Sequence, residues 1–263
     1  MADTSSAAPT QSLGVGALIS ESFSILFGNI PTVIMIGFVP MFISAMIGGL
    51  LNGWGTLLGT TPPDFTSMGS IVMFIISMVL QFGIYGIMIA LLVQMAYDVK
   101  LGRKPNISRY FGPAMNALVP LLLVSIVTTI LIGIGFAALI VPGLWLYAVF
   151  SVVVPAIVIE SAGFGALGRS SALTKDFRWP IVGLLVVIVI CMVIIGAIFG
   201  AGLGLIIYAL GDGFVGIVFM VLLVSVINGF TYSLSGISVS LIYARLREIK
   251  EGVGVDQLAS VFE

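Results

Sequence analysis

Six long apolar runs divide the chain: about Ile30 to Leu51, Ile71 to Tyr97, Ala114 to Val141, Leu144 to Ile159, Ile181 to Leu210 and Phe214 to Ala244. The runs are continuous. They lack the alternation of apolar and polar positions that marks a membrane β-barrel strand. Helices that cross a bilayer need roughly 20 apolar residues, and a helix satisfies its own backbone N–H and C=O groups in lipid. The pattern therefore predicts an all-α integral membrane protein with six transmembrane helices. The second run has 27 residues, about 40 Å of helix, so it must tilt or protrude. The fourth has 16, about 24 Å, which is short. Val141-Pro142-Gly143 reads as the turn of a tight hairpin between the third and fourth helices, with its tip below the headgroups. Pro40 and Pro155 are expected to kink the first and fourth.

The polar segments between the runs set the orientation. Lys100, Arg103, Lys104 and Arg109 follow the second run; Arg169, Lys175 and Arg178 follow the fourth; Arg245, Arg247 and Lys250 follow the sixth. With six spans these three segments share one side. The positive-inside rule makes that side cytoplasmic, with both termini. Residues 1–11 read as a flexible tail, 12–250 as one membrane domain and 251–263 as a cytoplasmic tail. No basic residue precedes the first apolar run, so no cleaved secretory signal is expected.

Residues 12–31 and 161–180 align without a gap. Ser12 matches Ser161, Gly14 Gly163, Gly16 Gly165, Ala17 Ala166, Leu18 Leu167, Ser22 Ser171 and Pro31 Pro180. Each segment leads into a span, and residues 105–120 read as a shorter third copy. The chain thus divides into three hairpins, each preceded by an amphipathic segment on the inner leaflet. In the second copy Phe164, Leu167 and Ser171 fall on one helical face, with basic residues beside it for headgroups. Lys100, Arg103, Lys104, Arg169, Lys175 and Arg178 are the candidate anionic-lipid contacts; the other reading is that they act only during insertion.

Composition narrows the chemistry. Apolar residues make up 60% and charged ones 8%, against about 25% charged in soluble domains. The net charge of −1 gives no sign of nucleic-acid binding. There is no histidine, which removes imidazole catalysis and ligation. Cys191 is alone and reads as a packed thiol. No phosphate-binding loop or metal set is present, so no cofactor and no enzymatic activity are expected. The span interiors hold no Asp, Glu, Lys or Arg, which leaves ion coupling without a candidate.

Neutral polar residues do occur within the spans, among them Gln81, Gln94, Thr128, Asn228 and Ser233. They read as interhelical hydrogen-bonding groups or as a polar substrate path. Gly196, Gly200 and Gly204 form a helix-packing face on the fifth span; Ser225, Gly229 and Ser233 do so on the sixth, and Ser44 with Gly48 on the first. Trp54, Trp145, Trp179, Tyr97, Tyr110, Tyr147 and Tyr243 read as an aromatic belt.

Several motifs are familiar together: Val141-Pro142-Gly143, Val154-Pro155-Ala156, Glu160, the run Ala166 to Ser170, Leu173-Thr174-Lys175 and Trp179. Residues 139–185 thereby resemble the bacterial glycerophosphoryl diester phosphodiesterase membrane-domain family and the related YciC-like inner-membrane proteins. The resemblance implies an all-helical protein of the bacterial inner membrane. It does not bring the phosphodiesterase activity, which belongs to a separate soluble domain and an active site that uses histidine. Two functions follow from the sequence. The first is a non-enzymatic protein acting through lipids, another membrane protein or itself, as a scaffold or envelope-organising subunit. The alternative is a carrier for an apolar or lipid-like substrate, for which a cavity lined by Gln81, Gln94 and Asn228 would speak.

Overall fold

The computed structural model describes residues 12–210 and 213–252, without the side chains of 195, 199, 201 and 203–210. The two predicted tails lie outside the described residues, except that Glu251 ends the last helix and Gly252 caps it in the left-handed region. Among the described residues there are helices and no strands. Six helices are long and apolar enough to cross a membrane: span 1 Ile30–Asn52, span 2 Met68–Lys100, span 3 Leu118–Ala138, span 4 Ile140–Glu160, span 5 Arg178–Leu210 and span 6 Phe214–Glu251. The chain is an all-α multi-pass membrane protein.

A short helix precedes each pair of spans: Val15–Gly28, Ile107–Asn116 and Ala166–Thr174. Gly14 and Gly163, matched by the sequence alignment, both have positive φ, 69° and 51°, and both stand just before such a helix. Glycine adopts this conformation without the cost a Cβ imposes. The face of the third short helix that packs inward is Ala166, Ser170, Leu173 and Thr174. That differs from the face expected from sequence, since Phe164 lies before the helix and is exposed.

The predicted hairpin turn is displaced. Val141-Pro142-Gly143 is already helical, and the chain reverses at Leu139, whose φ of −167° is extended. Pro142 then sits in the first turn of span 4, where a missing N–H removes no helical bond. The hairpin closes tightly because Gly135 and Gly143 face each other: a Cβ on Gly135 would lie 3.0 Å from the Gly143 Cα. Span 3 starts later than expected because Ala114 to Asn116 belong to the second short helix. Span 6 runs past Ala244 to Glu251.

Both prolines expected to kink their helices lie beside irregular backbone. Before Pro40 the helix widens into a π-helical turn, Ile34–Phe38, an adjustment that often relieves a helix next to a blocked donor. This turn meets the small-residue face of span 6: a Cβ on Gly229 would come within 2.9 Å of the Phe38 backbone. Ser225, Gly229 and Ser233 are buried there, so the packing face read on span 6 is used within the chain. In span 4 the helix breaks before Pro155, between Val149 and Val153. The Val153 N–H bonds to the Phe150 carbonyl, which deprives Val149 O of its helical donor. The third short helix supplies a replacement: Ser170 Oγ donates to Val149 O at 2.7 Å, and the Thr174 hydroxyl, which donates to the Ser170 carbonyl at 2.8 Å, lies within 3.3 Å of the same oxygen.

The core lies at the end that carries the short helices. Met88, Leu92 and Met95 of span 2, Ile181 of span 5, and Ile237 and Leu246 of span 6 are fully buried. At the far end the same helices are open, with Val79 61%, Ile198 66% and Phe214 81% exposed. Replacing both Ser170 and Thr174 by Ala strands a buried carbonyl, which costs about 1–3 kcal/mol. Thermal unfolding in detergent should show that loss, with Ser170→Ala alone losing less because Thr174 Oγ1 remains within reach of Val149 O.

Candidate functional site

Two regions bring polar side chains together: an ionic layer at the core end and a group of cavities at membrane depth. In the ionic layer, Asp98 ends span 2 and is buried. Arg109 pairs with it, Arg103 lies 3.9 Å away and the Tyr110 hydroxyl donates to it at 2.6 Å. These groups come from span 2, its following loop and the second short helix. Burial, followed by donation to Asp98, raises the Tyr110 pKa to about 12, so the hydroxyl remains a donor across physiological pH. Gln94 is held in the same layer, donating to the Ala90 and Tyr110 carbonyls at 3.1 Å.

Glu160 is the second centre. Arg169 grips it through Nε and Nη2, each at 2.7 Å, and the Tyr243 hydroxyl donates to it. Arg247 lies 3.5 Å away, and Glu251 bridges Arg169 and Arg247. The carboxylate hydrogen bonds from Glu160 hold Arg169 above the ordinary guanidinium pKa. Span 4, the third short helix and span 6 are thereby joined. Lys100 pairs with Glu21 at 2.5 Å, which adds the first short helix.

The six basic residues singled out from the sequence divide accordingly. Lys100, Arg103 and Arg169 make ion pairs within the chain. Arg178 stacks over Trp145 at 4.4 Å, and its Nη2 is 3.4 Å from the Ser171 carbonyl. Lys104 and Lys175 are exposed, and no ion pair joins either to the described residues. Tyr110 and Tyr243, read as belt residues, are instead buried at 2% and 0% and bonded to carboxylates. A hydroxyl beside a carboxylate explains the correction, since the buried charge requires donors.

The cavities lie between the spans. One, of about 380 Å³, is an open pocket between spans 1, 2 and 6, lined by Ser44, Gln81, Tyr85, Ser225, Asn228 and Tyr232 among others. A second, of about 210 Å³, lies between spans 2, 3, 4 and 6; Tyr85 lines it too, with Thr128, Tyr147 and Ser151. Gln81 donates to Ser77 Oγ and Asn228 to the Val224 carbonyl, and no hydrogen bond to the described residues engages either amide oxygen. The lining of both cavities carries no Asp, Glu, Lys or Arg. Among the described residues no cluster could hold a metal ion.

Sequence reasoning found Gln81 and Asn228 and missed Tyr85 and Tyr232, whose rings meet edge to face at 5.0 Å. The signal was present: each tyrosine stands four residues after its amide, Gln81 to Tyr85 and Asn228 to Tyr232. That spacing puts each pair on one helical face. Gln94 belongs to the ionic layer and lines neither cavity. Gly196 and Gly200 are exposed with nothing within 4 Å of an added Cβ, and the surroundings of Gly204 lie outside the described residues.

No protein-family model, curated protein or solved structure matches the chain.

The ionic layer makes a direct prediction. Glu160→Gln removes the counter-charge of two guanidiniums, and losing charged hydrogen bonds of this kind costs about 1–3 kcal/mol. Lys104→Gln, at an exposed site, should change stability by less than about 0.5 kcal/mol. Thermal unfolding of both variants in the same detergent checks the contrast.

Proposed function

We propose that this protein is a membrane-embedded, non-enzymatic carrier that binds a neutral, apolar or lipid-like molecule between spans 1, 2 and 6. The observation that carries the reading is the cavity in which Gln81 and Asn228 present unbonded amide oxygens beside Tyr85 and Tyr232. Its volume, about 380 Å³, is within the usual range of ligand sites, which are mostly apolar with a few placed polar groups. A charged cargo would be desolvated there without a counter-ion; a neutral one needs none.

The same reading places the chain in the bacterial inner membrane, on the resemblance of residues 139–185. It puts the short helices and termini on the cytoplasmic side, because the basic residues gather at that end. Duplication of a short helix followed by two spans is supported by the matched left-handed glycines Gly14 and Gly163. Lys104 and Lys175, exposed beside the ionic layer, are the basic residues best placed for anionic headgroups.

A second reading, a scaffold or envelope-organising subunit, is favoured by Gly196 and Gly200, which lie open on span 5. Purification in mild detergent separates the two. The carrier reading expects native mass spectrometry to show a bound neutral molecule that is lost from Gln81→Leu/Asn228→Leu. A stoichiometric protein partner, with the same bound lipids in wild type and double variant, would favour the scaffold instead.

A further inference from the structure

The Phe82 ring lines three spaces at once. It borders the 380 Å³ cavity, the 210 Å³ cavity and a groove of about 320 Å³ between spans 2 and 3. Met78 is shared by the groove and the first cavity, and Leu122 and Thr129 by the groove and the second. The groove is apolar apart from Thr129, and its walls face outward: Met78 is 58% exposed, Val79 61% and Ile130 56%. In a bilayer those side chains meet acyl chains. The shared lining at Phe82 and Met78 offers a sideways path from lipid towards Gln81 and Asn228, between spans 2 and 3.

The inner walls specify the other end of the ligand. The hydroxyls of Tyr85, Tyr147 and Tyr232 make no hydrogen bond to the described residues. With the two amide oxygens they offer neutral donors and acceptors, the complement of hydroxyl and ester groups. A phosphate behind Phe82 would find no cation in either lining and would lose its hydration uncompensated. A small polar solute would have no use for an apolar groove that leads to the bilayer.

We infer that the ligand is a lipid with an uncharged, hydroxyl-bearing headgroup, an acylglycerol in chemical class. Its headgroup lies behind Phe82 and one acyl chain lies in the groove between spans 2 and 3. This rests on the carrier reading and adds the headgroup class and the route.

The test uses the full chain in phosphatidylcholine nanodiscs and a diacylglycerol with a photoactivatable diazirine at mid-chain. Labelling should saturate and map to peptides holding residues 78–82 and 122–130. Unlabelled diacylglycerol should compete about tenfold better than phosphatidylglycerol. Ile126→Trp, on the groove wall, should lower this labelling by about tenfold, whereas Ile134→Trp, equally lipid-facing but outside the groove, should not. Should either variant fold poorly, the competition in the wild type decides. Saturable labelling elsewhere, or equal competition by phosphatidylglycerol, overturns the route and headgroup but leaves the carrier reading standing. If neither this probe nor a photoactivatable monoacylglycerol labels saturably, the acylglycerol assignment falls; the carrier reading falls with it only if native mass spectrometry also shows no bound neutral molecule.

Discussion

The carboxylate of Glu160 stands where span 4, the third short helix and span 6 meet. It takes hydrogen bonds from Arg169 and Tyr243, and Arg247 and Glu251 close the cluster around it. Asp98 plays the same part for span 2 and the second short helix, and Glu21 with Lys100 for the first. Apolar side chains in lipid gain little from meeting one another, because the surrounding tails are equally apolar. Ion pairs at the edge of the membrane, together with close packing beneath them, are then what fix the relative positions of the helices. The buried residues of spans 2, 5 and 6 gather under this layer.

Fixing one end leaves the other free to differ. Towards the far end the spans carry exposed apolar side chains, and polar ones such as Asn228 turn to their own helix or to cavities, while Asn52 of span 1 donates to Ser77 Oγ of span 2 at 2.7 Å. Asn228, Ser225 and Ser233 each bond to the carbonyl four residues earlier. Such local bonds satisfy donors without joining helices, and beside the close contact of Gly229 with span 1 a cavity remains between spans 1, 2 and 6. A chain joined by charge at one end and lined with neutral groups in its interior is suited to hold an uncharged guest. The break in span 4 follows the same economy of polar groups. Its freed carbonyl is met by the Ser170 hydroxyl, with that of Thr174 within reach, rather than left in lipid.

Much of this is legible in the sequence, for identifiable reasons. The six apolar runs define the spans because length and hydropathy are local properties. The small-residue face at Ser225, Gly229 and Ser233 is visible as a four-residue period and does pack. The same period at Gly196 and Gly200 meets nothing among the described residues, since periodicity marks a smooth face and not its partner. Val141-Pro142-Gly143 misled because proline is as much at home in the first turn of a helix as in a loop. Tyr110 and Tyr243 looked like belt residues because sequence position gives depth but not direction. The pairing of Glu160 with Arg169, Tyr243 and Arg247 spans more than 80 residues in part, beyond any local pattern.

The ionic layer holds one end of the bundle in a single arrangement, and the far end is less constrained. Spin labels report this directly by pulsed electron–electron distance measurement in nanodiscs, on a chain with Cys191 replaced by Ala. Labels at the exposed Lys104 and Lys175 sample the ionic end; labels at the exposed Met68 and Val215 sample the far end. A narrow distance distribution at the first pair and a broad one at the second is the expected result. Equal widths at the two ends, or the broader distribution at Lys104 and Lys175, would contradict it.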